Sequence, residues 1–551
     1  MRKPLAFAAL AFSIASAPPA MAAKDTLTIG VAQFPASLHP YISSQTVQFY
    51  ALGFMTRPTS AFDITGKPAC LLCTELPTLE NGLAKIEDHP DGTRGLAVTI
   101  KLKPDLKWSD GVPLTARDVA FTWKLGSDPA AGFSTIYPWS RAKSVDVVDD
   151  HTAVLHLDRT LVTYQVWDYI LPEHIEAPIR GASATPLDYI NHTPYNAAPM
   201  TPGLWNGPYV ITGYQSGNLI ELGPNPYWPG PKPAIPKVVI RLIENTAALQ
   251  ANLLSGDIDM APSGIGVTID QGVAMQKDYP DRFRYNYRRG VSMERIDPQK
   301  DNPLLADVRV RAALLVSVDR KTLIDRLFGG HAALALSWMN DLDPNYTTDV
   351  PTYPYDPARA RSLLKAAGFT PGADGICRNA NGDRLSLEFT TTSGNRVREL
   401  SQQVMQSQWK QVCVEVAINN QPSRMFFGET TRKRSYRGLA EYANSSRIGL
   451  PPTPFYGTAG VPTAANNYNG MNASGYSDAR MDALLAQAET ELDPAKQKGI
   501  WADMQRLYAT DLPELPLYFR EDPDILPTWL KGYEANGKED YVSYWAENWK
   551  P

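Results

Sequence analysis

Along most of the chain, short runs in which apolar and polar residues alternate give way to runs with helical spacing. The clearest case spans Ala97 to Trp123, where Val98, Ile100 and Leu102 occupy every second position and predict a half-buried strand. Ser109-Asp110-Gly111 then supplies a turn, and Thr115 with Asp118 three residues on reads as a capping box opening a helix that ends near Lys124. A second unit begins with Val238, Ile240 and Leu242, takes Thr246 as N-cap, sets Leu249 and Leu253 on one helical face and closes at Gly256, with Asp257-Ile258-Asp259 predicted to start another strand.

Later in the chain, Asp356-Pro357 and Asp493-Pro494 each put a capping carboxylate before a proline at the first helical position, and Gly368 ends the former helix. Strands at Leu385 to Phe389 and Val414 to Ile418 extend the pattern. Strand and helix alternate over more than one domain, so the predicted class is α/β. The proline-rich Tyr227 to Pro236 lies between two strand patterns and reads as a rigid surface loop, and no internal repeat is present.

With 551 residues, 43% hydrophobic and 20% charged, the chain is ordinary globular material with enough length for two or three cores. Arg2 and Lys3, an apolar run from Leu5 to Ile14 and Ala20-Met21-Ala22 have the form of a secretory leader cleaved near Ala22/Ala23. That run is shorter than the roughly 20 residues of a membrane-spanning helix. With no cysteine near the cleavage site to accept a lipid, a free periplasmic protein without membrane insertion is expected. The 53 Lys and Arg against 58 Asp and Glu leave a net charge of −5, which argues against nucleic acid or anionic lipid as the main partner. Cys70, Cys73, Cys377 and Cys413 fit two disulfides in an exported protein, 70–73 with 377–413 being the simplest pairing, and a zinc site from the same four is the alternative.

Seven segments in one order resemble a known family. They are KLKPDLKWSDGVPLTARDVAFTWK from Lys101, NGPYVITGYQSGNLIELGPNPYW from Asn206, DVRVRAALLVSVDRKTLI from Asp307, YDPARARSLLKAAGF from Tyr355, QSQWKQVCVEV from Gln406, GYSDARMDALL from Gly475 and LPELPLYF from Leu512. Together they are similar to the extracytoplasmic solute-binding proteins of the peptide and nickel class, over nearly the whole mature chain. The resemblance implies a two-lobed, hinged periplasmic-binding-protein fold with an extra domain inserted in a discontinuous first lobe. It also implies a monomer without cofactor that captures a small peptide or peptide-like solute and delivers it to the membrane permease of an ABC importer. On this chain, the leader is placed at 1–22, the first lobe at 23–44, 186–288 and 516–551, the inserted domain at 45–185 and the second lobe at 289–515. The forward crossing is placed near Tyr285 to Val291 and the return near Leu515 to Phe519.

Such a binder works by closure, so ligand residues are expected from both lobes. From the first lobe the resemblance points to the segment after the first strand, with Ser37, His39 and Tyr41 as candidates. From the second it points to Tyr436 through Asn444, whose backbone would pair with an extended peptide as an added strand does, giving Gly438, Leu439, Ala440, Glu441, Tyr442 and Asn444. Peptide binders of the family usually carry an aspartate for the ligand's α-amino group where this chain has Tyr442, and the adjacent Glu441 is the candidate to replace it. Upstream, Gln421 and Arg424 are candidates, the arginine for a ligand carboxylate or for a surface salt bridge. Asn466 and Asn467 offer amide groups to a polar ligand, or else form a turn.

A secreted hydrolase is the rival of another class, yet the chain contains neither a G-x-S-x-G elbow nor an H-E-x-x-H helix. The seven histidines, at 39, 89, 151, 156, 174, 192 and 331, contain no pair four residues apart. The expectation is therefore no catalytic residue and no metal. Within the binding proteins, an oligosaccharide, an opine-like sugar or a metal chelate remains an alternative cargo, the 12 tryptophans favouring the first.

Overall fold

Thr26–Val31 runs parallel to Lys237–Leu242, which continues antiparallel through Leu219–Pro224 to Tyr209–Gln215 as the first sheet of the computed structural model. The structure describes residues 24–43, 45–89, 92–128, 131–133, 139–466, 468, 470–538 and 541–551, the Arg424 side chain excepted. The expected leader and Asn467 lie outside the described residues. Alternation is the reason for this sheet: Leu27, Ile29 and Val31 bury on the face that Val238 and Ile240 share.

A second sheet, wholly antiparallel, is ordered Ala84–Asp88, Arg94–Lys101, Thr152–Leu157, Ala142–Asp149. Its helix Ala116–Gly126 starts on the Thr115–Asp118 capping box, as the spacing predicts. One hydrophobic cluster runs through both sheets, from Leu27 and Ile240 to Val98 and Leu155. The helix Thr46–Met55, placed in the inserted domain from the sequence, packs instead against the terminal turn Val542–Asn548 and the Tyr209–Gln215 strand of the first sheet.

The third sheet has six strands in the order Ala332–Leu334, Leu515–Arg520, Ser292–Pro298, Leu439–Ser445, Ser386–Thr390, Glu415–Ile418. Helices cover one face around Val310, Leu314, Leu364 and Trp409, and Trp338, Tyr456, Trp501 and Tyr508 fill the other. Two chain crossings join the lobes. Phe283–Tyr287 pairs antiparallel with Pro523–Pro527 beside the first sheet, while the continuations Ser292–Pro298 and Leu515–Arg520 pair within the third. The return therefore crosses at Glu521-Asp522, later than Leu515 to Phe519, because Leu515–Arg520 belongs wholly to the second lobe's ladder. This is a two-lobed α/β architecture with an extra sheet domain.

Local corrections are few. Asn245, not Thr246, caps its helix by accepting from the Ala247 and Ala248 N–H groups. Asp257 to Asp259 form no strand, and only an isolated bridge joins Ile29 to Met260. Both disulfides, Cys70–Cys73 and Cys377–Cys413, are formed, so the zinc alternative falls. Among the described residues no helix is long and apolar enough to cross a membrane.

Candidate functional site

In an antiparallel pair, both backbone groups of a residue point to the same edge, and successive residues alternate edges. For Leu439–Ser445 the parity is fixed at both ends. The Gly438 carbonyl accepts from Gln299 N–H at 2.8 Å, and Ser446 N–H donates to the Val291 carbonyl at 3.3 Å, both toward the Ser292–Pro298 strand. Even-numbered residues thus face that strand and odd-numbered ones face the other edge. There Ser386–Thr390 pairs with only Leu439 and Ala440, and then the chain turns away so that Thr392 bridges Gln421. The Thr391 hydroxyl donates to the Glu441 carbonyl at 2.7 Å. Beyond that contact the N–H and C=O of Ala443 point to an edge with no strand neighbour among the described residues. The arrangement can accept one more strand.

The side chains of this strand divide between its faces. Tyr442 donates to Asp297 at 2.5 Å, and the Arg295 guanidinium lies 4.3 Å from its ring centroid. Glu441 takes the opposite face, fully buried, with one oxygen accepting from Ser401 at 2.8 Å. Burial pushes its carboxyl well above the usual range, and the nearby Glu294 carboxylate pushes it further. Glu441 is therefore buried within the core with its charged form disfavoured, bonded to Ser401.

The first-lobe candidates are corrected as a group. Ser37, His39 and Tyr41 are all buried. Ser37 donates to Asn196 at 2.6 Å, and the Tyr41 hydroxyl donates to the Tyr169 carbonyl while accepting from Trp139 at 2.8 Å. His39 Nδ1 accepts from Tyr41 N–H at 3.1 Å, which leaves Nε2 to carry the proton toward the Tyr189 hydroxyl at 3.2 Å. Burial lowers the His39 pKa to about 3, so the ring stays neutral. These buried polar groups spend their hydrogen bonds within the first lobe.

This network ends at Glu176, which accepts from Tyr189 at 2.5 Å and Thr193 at 2.9 Å. Burial raises its pKa to about 7 against those two hydrogen bonds. Below about pH 4.5 the group is protonated in the folded and unfolded chain alike; above it the unfolded form ionises first, and folding stability falls until the folded pKa is passed. Glu176→Gln is expected to remove this decline, worth up to about 3 kcal/mol at pH 7, when urea midpoints of both proteins are compared between pH 5 and 8.

The remaining candidates separate. Gly438 sits where an added Cβ would lie 2.3 Å from the Glu388 carbonyl, so its role is close strand packing. Leu439 and Ala440 are core residues. Gln421 accepts from Thr430 at 2.6 Å and stays half-buried, and Arg424 lies within the short helical turn Ser423–Met425. Asn466 spends its amide on the Thr463 N–H and the Val461 carbonyl, which makes it a turn former. Asn444 alone lines a crevice, with Met293, Trp338, Ser446, Pro452, Phe455 and Tyr456. A second crevice beside the hinge joins Thr268 and Ile269 of the first lobe to Glu294, Arg398 and Arg520 of the second, with Asp522 of the return crossing between them. Ala443 lies in the Tyr436 to Asn444 segment expected to pair with a peptide through its backbone, whereas Trp338 and Phe455, which line the crevice, were not singled out from the sequence.

The model of the bacterial extracellular solute-binding proteins, family 5, matches residues 79–469. An oligopeptide-binding protein, AppA, from Bacillus subtilis is 25% identical, covering 83% of this chain and 81% of its own length. Among solved structures, the oligopeptide-binding protein of Thermus thermophilus complexed with a pentapeptide superposes with a TM-score of 0.84 at 29% identity, covering 96% of each chain. NikZ of Campylobacter jejuni in complex with Ni(L-His) has the same fold, with a TM-score of 0.80 at 20% identity over 96% of this chain and all of its own.

Proposed function

We propose, for a chain that belongs to family 5 of the bacterial extracellular solute-binding proteins, that it captures an extended peptide or peptide-like solute and delivers it to the membrane permease of an ABC importer. In this reading it acts in the periplasm after loss of its leader near Ala22/Ala23, and it is not an enzyme. The observation that carries the peptide reading is the outward-facing N–H and C=O of Ala443 on an edge without a strand partner. An extended peptide satisfies such an edge through its own main chain, whatever its side chains.

The same geometry bears on how the ends of the peptide are read. Glu441 is buried, with its carboxyl pushed well above the usual range, and the Tyr442 hydroxyl is committed to Asp297. Neither offers a charge to a terminal ammonium, so binding rests on the peptide main chain. Thermal-shift measurements with di- to pentapeptides, their N-acetylated forms, oligosaccharides and nickel chelates test this, since a ligand at about 100 times its Kd adds about 2.7 kcal/mol. Free and acetylated peptides are expected to raise the midpoint alike, with affinities within about tenfold of each other. A rise with free peptides only would return the amine to the centre of recognition. A rise with saccharides or chelates only would remove the peptide reading and leave the family role.

A further inference from the structure

The extra domain of the first lobe touches the second lobe at the end of the helix Ala479–Thr490, in addition to an ion pair between Asp168 and Arg447 at 3.8 Å. The last four carbonyls of a helix have no partner within it, and here two find partners in the opposite lobe. Val162 N–H donates to the Glu489 carbonyl at 2.8 Å, and the Thr160 hydroxyl donates to the Thr490 carbonyl at 2.9 Å. The Glu489 side chain, 6% exposed, joins the same contact. One oxygen accepts from Thr453 of its own lobe at 2.6 Å, which fixes the carboxylate, and the other faces Arg141 at 3.4 Å and Arg159 at 4.0 Å in the extra domain.

Both arginines also reach Asp158 of their own domain, at 3.7 and 3.1 Å. They keep a carboxylate partner when the lobes part, whereas Glu489 exchanges two cations and a buried position for water. None of these residues lies on the Leu439–Ser445 edge or lines either crevice.

We propose that Glu489, with Arg141, Arg159, Thr160 and Val162, forms a closure latch that sets how much of the protein is closed before any solute arrives. A solute that binds only the closed form has an apparent Kd equal to its intrinsic Kd divided by the closed fraction. The latch therefore scales every affinity by one factor and leaves selectivity to the residues that touch the solute. Glu489→Gln keeps the shape and the Thr453 contact while weakening the charge-assisted pairing.

The test uses the full mature protein with one spin label on each lobe, so that inter-lobe distance distributions are read first without solute. The closed population of unliganded wild type is expected to fall about tenfold in Glu489→Gln and in Arg141→Gln, with no further fall in the double variant. For any two unrelated solutes that bind, Kd is expected to rise by the same factor of about ten. An unliganded wild type without a closed population, variants with its distance distribution, or solute-dependent factors would overturn the latch. The solute-free measurement stands whether or not the cargo is a peptide, so failure of the peptide reading is distinguishable from failure of the latch.

Discussion

Arg295→Met lowers the stability of the second lobe by about 4 kcal/mol, read from urea unfolding followed by tryptophan fluorescence and checked by calorimetry. Arg295 is almost fully buried in the third sheet, with Nε 2.9 Å from Asp297 and 2.7 Å from Glu514. Tyr442 donates to Asp297, and Tyr456 and Tyr508 donate to Glu514 at 3.0 and 3.2 Å. Methionine fills most of the volume but strands two buried carboxylates on tyrosine hydroxyls alone. Breaking a buried pair from one side costs more than replacing the whole set with neutral groups, so Arg295→Met combined with Asp297→Asn and Glu514→Gln should regain most of the loss. The single variant's deficit should also shrink as pH falls, because its stranded acids take up protons in the folded state before the unfolded carboxylates do. A deficit below about 1 kcal/mol, or no recovery in the triple variant, would mean that the arginine does not compensate these acids.

The caps and alternating strands were legible because their causes are local. Thr115 with Asp118, Asp356 before Pro357 and Asp493 before Pro494 each satisfy helix N–H groups within a few residues, and the structure has all three. The site was less legible for a reason visible at Glu441 and Tyr442. A strand buried on both faces loses the polar alternation that would mark an outer side, so two polar residues in sequence gave no sign of which one looked toward the cleft. Neither does: one enters the helix-covered face and the other the Arg295 cluster.

His39 and its neighbours were misread for a different reason. The resemblance pointed to the segment after the first strand as a ligand surface, but Asn196, Tyr189 and Glu176, which form the network that holds these side chains, lie more than 130 residues further along the chain. Asn466 takes the turn-forming alternative, its amide being consumed by Thr463 and Val461 close by in the chain. The return crossing was placed too early because neither Leu515–Arg520 nor Pro523–Pro527 carries a local sign of which lobe's ladder it joins, and only their pairing partners reveal where the chain changes lobes.

Ala443→Pro abolishes solute capture with little effect on folding. The parity set by Gly438 and Ser446 puts the Ala443 N–H on the open edge, so proline deletes a donor that the third sheet does not use. Its ring would occupy the space an added strand must enter at about 4.8 Å, and it restricts Tyr442 to the extended backbone that residue already has. Proline is tolerated on an edge of this kind. Affinity for any peptide that binds wild type is expected to fall at least about a thousandfold, roughly 4 kcal/mol, by calorimetric titration, while the thermal midpoint without solute moves by only a few degrees. Asn444→Pro is the matched opposite: its N–H faces Ser292–Pro298, so it should cost the ladder a bond and lower the midpoint sharply. If Ala443→Pro binds as wild type does, the solute is held elsewhere in the cleft. If it unfolds as Asn444→Pro does, the edge assignment itself is reversed, because only a donor inside the ladder would make the two variants alike.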